Sequence, residues 1–80
     1  MSVEVGKFYS CAFRKAVFSD MSRSFSSFLG ETEENSLFVV LEVGYKIVNK
    51  DKLYRLKILT ADGMVGYIQL HPDNLKSESP

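Results

Sequence analysis

The stretch LYRLKILTADGMVGYIQL, residues 53–70, decides the fold, because Asp-Gly separates two segments in which apolar and polar residues alternate. Asp-Gly in this setting is a strong signal for a β-hairpin. A two-residue turn would mix polar and apolar side chains on both faces. A three-residue loop at 61–63 instead places Leu56 opposite Ile68 and gives one apolar face. The sequence therefore predicts the three-residue loop, with Gly63 in the left-handed conformation of a G1 bulge.

This register makes a specific set of cross-strand predictions. The apolar face pairs Tyr54 with Leu70, Leu56 with Ile68 and Ile58 with Gly66, and the opposite face pairs Arg55 with Gln69 and Lys57 with Tyr67. Because a shift of one residue would move every side chain to the other face, the pattern constrains the pairing strongly.

Three consecutive strands are predicted, at residues 37–48, 53–60 and 64–70, with a polar turn at 49–52 between the first two. The first strand, LFVVLEVGYKIV, is apolar at every odd position, which predicts a long, half-buried strand with a bend or bulge at Gly44. Its even positions 38 and 40 are apolar as well. Either the preceding segment covers them, or an exposed apolar patch remains.

The amino-terminal third has a weaker pattern. A first strand is expected near Val3 and Val5, followed by a long excursion that is irregular or contains a short helix. In the helical alternative Asp20 is the N-cap and Gly30 ends the helix. The apolar face of that helix would consist of Met21, Phe25, Phe28 and Leu29. Serines in SDMSRSFSS, residues 19–27, disfavour it, because serine competes for backbone hydrogen bonds.

The 80 residues predict one domain at 1–75, with a surface loop at 30–35 and a flexible tail at 76–80. Ten basic and ten acidic residues give zero formal net charge, which argues against a dedicated nucleic-acid binder. One cysteine permits no internal disulfide. No signal peptide and no apolar run long enough for a membrane span is present, so we expect a soluble, intracellular, cytoplasmic protein.

Catalytic and metal-binding motifs are not evident. Cys11 and His71 are the only cysteine and histidine, and their sequence separation gives no reason to place them together. Cys11 fits a small buried residue, and His71, before a proline, fits a surface turn. No phosphate-binding glycine motif occurs. We therefore expect no enzymatic activity, no metal and no cofactor.

The segments LFVVLEV, KLYRLKIL, ADGMVGYI and DNL, within residues 37–75, resemble the SH3-like barrel, and most closely its bacterial SH3b-type branch. The resemblance implies a mainly all-β fold, a small barrel with the long excursion between its first and second strands. Peptide-binding members use a tryptophan, a proline and a late tyrosine. This chain has no tryptophan, Gln69 takes the place of the proline, and Asn74 stands near that of the tyrosine, so polyproline binding is not expected.

The resemblance and the surplus of aromatic residues favour a noncatalytic protein-interaction module that binds another protein or a second copy of itself. Most of the ten aromatic side chains are expected in the core, with the remainder at a partner surface. Loops next to a rigid barrel commonly carry binding. The candidate partner-binding residues are Asp20, Arg23 and Phe25 in the excursion, and Tyr67, His71 and Asp73 at the end of the meander.

The alternative hypothesis is a nucleic-acid-associated barrel. Lys46, Arg55 and Lys57 share one strand face in the predicted register, and Lys52 lies nearby. A row of basic side chains on a sheet can follow a phosphate backbone, although the neutral total charge weakens this hypothesis.

Overall fold

A computed structural model describes residues 3–22 and 24–78 and contains seven β-strands. In chain order the strands are β1 (Phe8–Cys11), β2 (Ala16–Phe18), β3 (Phe28–Glu31), β4 (Phe38–Val48), β5 (Asp51–Thr60), β6 (Val65–Leu70) and β7 (Leu75–Ser77). Single 3₁₀ turns at Phe25–Ser27 and Pro72–Asn74 precede β3 and β7. Neither of these described turns has the length of a membrane-spanning helix.

The strands form one antiparallel sheet in the order β3-β2-β6-β5-β4-β1-β7, curled into a half-barrel. The all-β prediction is therefore confirmed at this level. β4, β5 and β6 form the predicted meander, and β7 returns to pair with β1 at one end of the sheet. β3 lies at the other end, so the two end strands are both short.

The β5–β6 hairpin has the register predicted from the sequence. Leu56 pairs with Ile68, and the apolar and polar pairs fall on opposite faces as expected. The backbone N–H of Thr60 donates to the Met64 carbonyl at 2.9 Å, which closes a three-residue loop. Gly63 has a φ of +90°, a conformation that favours glycine.

β4 differs from its prediction in which face enters the core. The even residues Phe38 and Val40 are buried, whereas the odd residues are exposed or half-buried. A β-bulge between Val40 and Glu42, and not at Gly44, leaves Leu41 as the extra residue. Because a bulge adds one residue, it reverses which positions face inward beyond it.

The turn between β4 and β5 is tighter than predicted. Val48 pairs with Asp51, so only Asn49 and Lys50 form the turn, with φ angles of 49° and 70°. Two central residues with positive φ match the type I′ turn that joins twisted antiparallel strands. β5 consequently begins two residues before the predicted boundary of 53.

The excursion between the first strand and the meander contains a β-hairpin and no α-helix in its described part. β2 pairs with β3, and the short helix expected to start at Asp20 is absent from residues 20–22 and 24–30. Phe28 and Leu29, assigned to that helix in the helical alternative, lie in β3. Part of the predicted 30–35 surface loop also belongs to β3, since the strand ends at Glu31.

The core lies on the concave face of the sheet. Its buried apolar residues are Tyr9, Cys11, Val17, Phe38, Val40, Tyr54, Leu56, Ile58, Ile68, Leu70 and Leu75. Only three of the ten aromatic residues are among them, so the expectation that most aromatic side chains build the core is wrong. The other aromatic side chains are exposed or half-buried and remain available to form surfaces.

The carboxyl-terminal segment is ordered further than the predicted tail boundary. Lys76 and Ser77 belong to β7 and pair with β1. The backbone N–H of Glu78 donates to the Phe8 carbonyl at 3.0 Å, and the buried Ser10 hydroxyl donates to the Glu78 carboxylate at 2.9 Å. These contacts join residues 76–78 to the sheet, and the last two residues lie outside the described part.

Candidate functional site

Gly66 determines how closely the β2–β3 hairpin packs against the meander. A Cβ atom at this position would lie 2.6 Å from Val17 Cγ1 and 2.7 Å from the Phe18 carbonyl oxygen. Glycine therefore allows a close approach of β2 to β6 that no other residue allows. Val17 enters the core, and the alternation of β2 turns Ala16 and Phe18 toward the convex face.

The outward-facing side chains of the hairpin form an open apolar groove of ≈ 380 Å³, here named the aromatic groove. It is lined by Ala16, Phe18, Phe25 and Phe28. The rings of Phe18 and Phe28 meet edge to face, with centroids 5.8 Å apart and an interplanar angle of 70°. This pair gives the groove a packed base.

Phe25 is the most exposed large apolar side chain of the described residues, at 97 % exposure. It lies in the 3₁₀ turn that leads directly into β3, so a short, hydrogen-bonded segment holds its backbone. An aromatic ring in this position has a large apolar area that water covers in the free protein. Its burial against a partner would be favourable.

A polar row borders the aromatic groove on the β6 side. Tyr67 lies opposite Phe18 across the strands, and the Lys57 Nζ lies 5.9 Å from the centre of the Tyr67 ring. Lys57 also forms an ion pair with Glu42 at 3.3 Å. The groove therefore changes from apolar to charged along the convex face, which is the usual arrangement of an interface core and rim.

The predicted residues of the excursion lie at the other border. Asp20 accepts a hydrogen bond from the backbone N–H of Ser22 at 3.0 Å, and the hydroxyls of Ser24 and Ser26 lie 3.0 Å apart. These exposed polar groups surround the turn that carries Phe25. Arg23, also predicted as a binding residue, lies outside the described residues.

His71 and Asp73 contact each other and form no part of the aromatic groove. The His71 Nδ1 accepts a hydrogen bond from the Asp73 backbone N–H at 3.2 Å, which caps the second 3₁₀ turn. Asp73 lines a separate groove together with Phe13 and Asn35. Of the described residues predicted to bind a partner, Phe25 and Tyr67 are linked through Phe18, while the other three lie elsewhere or on the border.

The basic residues of the alternative hypothesis share the convex face, as their register requires. Lys46 lies opposite Leu53, Arg55 opposite Gly44 and Lys57 opposite Glu42. The Arg55 Nε donates to the Gln69 side-chain oxygen at 3.2 Å, and Lys57 is paired with Glu42. Two of the three cations thus already have partners within the protein.

The single cysteine is buried in the core, and no three His, Cys, Asp or Glu side chains converge on a metal-binding arrangement within residues 3–22 and 24–78. The Cys11 carbonyl accepts a hydrogen bond from the Asn35 backbone N–H at 2.9 Å. Cys11 therefore contributes to packing at the end of β1.

Sequence reasoning missed Ala16, Phe18 and Phe28 as members of the surface. The alternation in Ala16-Val17-Phe18 was the available signal, because a strand there places the first and third side chains on one face. Only three residues carry it, which is too short a segment to separate a strand from irregular structure by periodicity.

Comparison with known proteins found no matching family model, no matching curated protein and no matching solved structure. One fold can host many functions, so the geometry of the aromatic groove and its borders is the feature of this chain that points to a function.

Proposed function

We propose that the chain is a noncatalytic protein-interaction module that binds its partner at the aromatic groove. The observation that carries the proposal is the nearly complete exposure of Phe25 beside the packed pair Phe18 and Phe28. Aromatic side chains are enriched among the residues that contribute most of the binding energy at protein interfaces. The partner is another protein or a second copy of the chain.

The position of the groove at the end of the sheet favours an extended segment as the bound element. β3 is an end strand, and no other described segment pairs with its outer edge. A peptide that adds a strand along this edge would direct alternate side chains onto the face that carries the groove. The backbone would provide affinity, and the groove would select an apolar side chain.

We further propose that the half-barrel is an SH3-like domain. Support comes from the order of its elements: a first strand, an excursion, a three-strand meander, a 3₁₀ turn and a final strand that pairs with the first. The excursion would then carry the binding surface, although with phenylalanines in place of the missing tryptophan. An intracellular, cytoplasmic location remains part of this proposal.

The test is affinity capture from an extract of the source cells with the wild-type chain and two single variants. Phe25→Ser removes the exposed ring of the groove, and Phe13→Ser is the matched control, since Phe13 is 60 % exposed in a different region. We expect Phe13→Ser to retain the captured partner and Phe25→Ser to lose it, with unchanged circular dichroism for both. Equal capture by both variants would contradict the placement.

The nucleic-acid alternative has less support. It would use Lys46, Arg55 and Lys57, but Glu42 already neutralises Lys57, and the Arg55 Nε already donates a hydrogen bond to the neutral Gln69 side chain. Fluorescence anisotropy with a labelled oligonucleotide separates the two functions. Binding that weakens as salt rises, and that is lost in Lys46→Gln, would favour the alternative.

A further inference from the structure

The outer part of the β4–β5 hairpin pairs with β6 as far as Tyr54, and beyond that residue its two strands project alone. This outer part, residues 43–55, is here named the ribbon tip. Val43, Tyr45 and Ile47 lie on the face that continues from the core, opposite Leu56, Tyr54 and Lys52. These three side chains are 40 %, 63 % and 59 % exposed. This exposed apolar face therefore continues from the three-stranded part of the sheet onto the projecting strands, and no described segment covers it.

The ribbon tip is also strongly basic. It contains four basic residues against one acidic residue, Asp51. The basic residues are Lys46, Lys50, Lys52 and Arg55. Among the described residues none of them forms an ion pair, and the Lys52 Nζ lies 4.5 Å from the centre of the Tyr45 ring. The surface therefore combines an exposed aromatic ring with positive charge that nothing within the described chain neutralises.

The opposite end of β5 carries a groove of the opposite charge. This groove, here named the acidic groove, has a volume of ≈ 320 Å³. Three of its lining residues are the carboxylates Glu31, Glu33 and Asp62, and none is basic. β5 has ten residues, so its first and last Cα atoms are about 30 Å apart at the usual rise of a strand. The neutral chain is thus positive at one end of its long hairpin and negative at the other.

We propose that the ribbon tip of one copy docks into the acidic groove of a second copy, in a head-to-tail contact. Charge complementarity favours a second copy as the partner, because the ribbon tip is positively charged and the acidic groove of the same chain is negatively charged. A symmetric contact between two ribbon tips would bring their lysines together and is unfavourable. The head-to-tail contact uses different surfaces on the two copies, so repetition builds an open chain or a ring.

The contact is weak and sensitive to salt. A two-stranded tip can bury less surface than the roughly 800 Å² per partner that stable complexes bury. Exposed charges separated by more than about 10 Å are largely screened at 0.1 M salt. The proposal uses no residue of the aromatic groove, so it stands or fails independently of the proposed function.

Sedimentation equilibrium of the purified chain tests self-association. At low ionic strength we expect the average mass to exceed the monomer mass of 9.1 kDa and to increase with protein concentration. At high ionic strength the mass returns to the monomer value. A monomer at every concentration and ionic strength would overturn the proposal.

Charge reversal identifies the two surfaces. The tip variant is Lys46→Glu with Lys52→Glu, and the groove variant is Glu31→Lys with Glu33→Lys. Each variant alone should remain a monomer, whereas their equimolar mixture should associate again, because each then offers a surface complementary to the other. A control with the same charge change away from both surfaces, Lys7→Glu with Lys76→Glu, should associate like the wild type.

Circular dichroism checks that each variant is folded. If the charge-reversed tip variant does not fold, the double variant Lys46→Gln with Lys52→Gln is used in its place. Association that persists in both reversed variants, or a mixture that stays monomeric, would overturn the proposal. The proposal would also be overturned if the wild-type protein stayed monomeric and its ribbon tip bound an oligonucleotide at low salt. The tip would then belong to a nucleic-acid interface.

Discussion

At the scale of single residues, a few side chains fix the geometry of the β5–β6 loop. The Thr60 hydroxyl accepts a hydrogen bond from the Met64 backbone N–H at 2.9 Å and donates one to the Asp62 carboxylate. Gly63 adopts the positive φ that completes the loop. The sequence predicted this region well, because turn chemistry and strand alternation favour the same register.

The hydrogen bond from Thr60 lowers the pKa of the Asp62 carboxyl below its ordinary value. A lowered folded-state pKa means that the interaction stabilises the fold above the pKa of the unfolded chain and is lost as pH falls through the folded-state pKa. In Thr60→Val we expect the Asp62 pKa to rise toward its ordinary value, and in the control Thr60→Ser to stay low. Titration of the carboxyl signal by NMR measures both, and an unchanged pKa in Thr60→Val would contradict this cause.

Replacement of Leu56 tests the inward face of β5. Leu56 is fully buried, so Leu56→Ala should lower the free energy of unfolding by about 2–5 kcal/mol through lost burial and a cavity. The adjacent outward face provides the control, since Leu59 is 36 % exposed and Leu59→Ala should cost less. Urea denaturation measures the difference, and equal losses would contradict the assignment of faces.

At the scale of elements, the sequence predicted pairing better than it predicted burial. The inward face predicted for β4 was wrong before Leu41, because a bulge there reverses the alternation and brings the odd residues to the core side only beyond it. A bulge at that position has no signal in an apolar run. The β2–β3 hairpin was not predicted because β2 has only three residues. Its position depends on tertiary contact with Gly66, which local patterns do not contain.

Gly66→Ala should detach the β2–β3 hairpin while the meander remains paired. The added methyl group would overlap Val17 and the Phe18 carbonyl, so β2 must move away from β6. Hydrogen exchange followed by mass spectrometry should show faster exchange in residues 16–31 than in β5. The control Gly44→Ala places its Cβ 3.5 Å from the nearest atom and should change exchange little. Uniform slow exchange in Gly66→Ala would contradict the close-approach argument.

At the scale of the whole molecule, the half-barrel buries few of its aromatic residues and presents the others on its surface. The sequence indicated a surplus of aromatic side chains and named Phe25 and Tyr67, but it did not bring them together. Phe18 links them, and its position follows from the β2–β6 pairing. A surface assembled from distant segments depends on the tertiary fold, so sequence pattern alone could identify members but not the groove.

Cys11 reports on the opening of the whole sheet. The side chain is 1 % exposed and lies in β1, between β4 and β7. Native labelling with a thiol reagent should therefore be slower than labelling of the urea-unfolded chain by the ratio of closed to open molecules. Labelling of the native protein as fast as that of the unfolded chain would contradict the buried position.

The most direct test of the central claim is to map the bound partner on the chain by NMR. Once the captured partner has been purified, its binding segment is titrated into isotope-labelled protein, and the changes in backbone amide shifts are assigned. We predict that the largest changes lie in residues 16–18 and 25–31, which form the aromatic groove and the outer edge of β3. Changes confined to the ribbon tip or to residues 71–74, with residues 16–31 unaffected, would contradict binding at the aromatic groove.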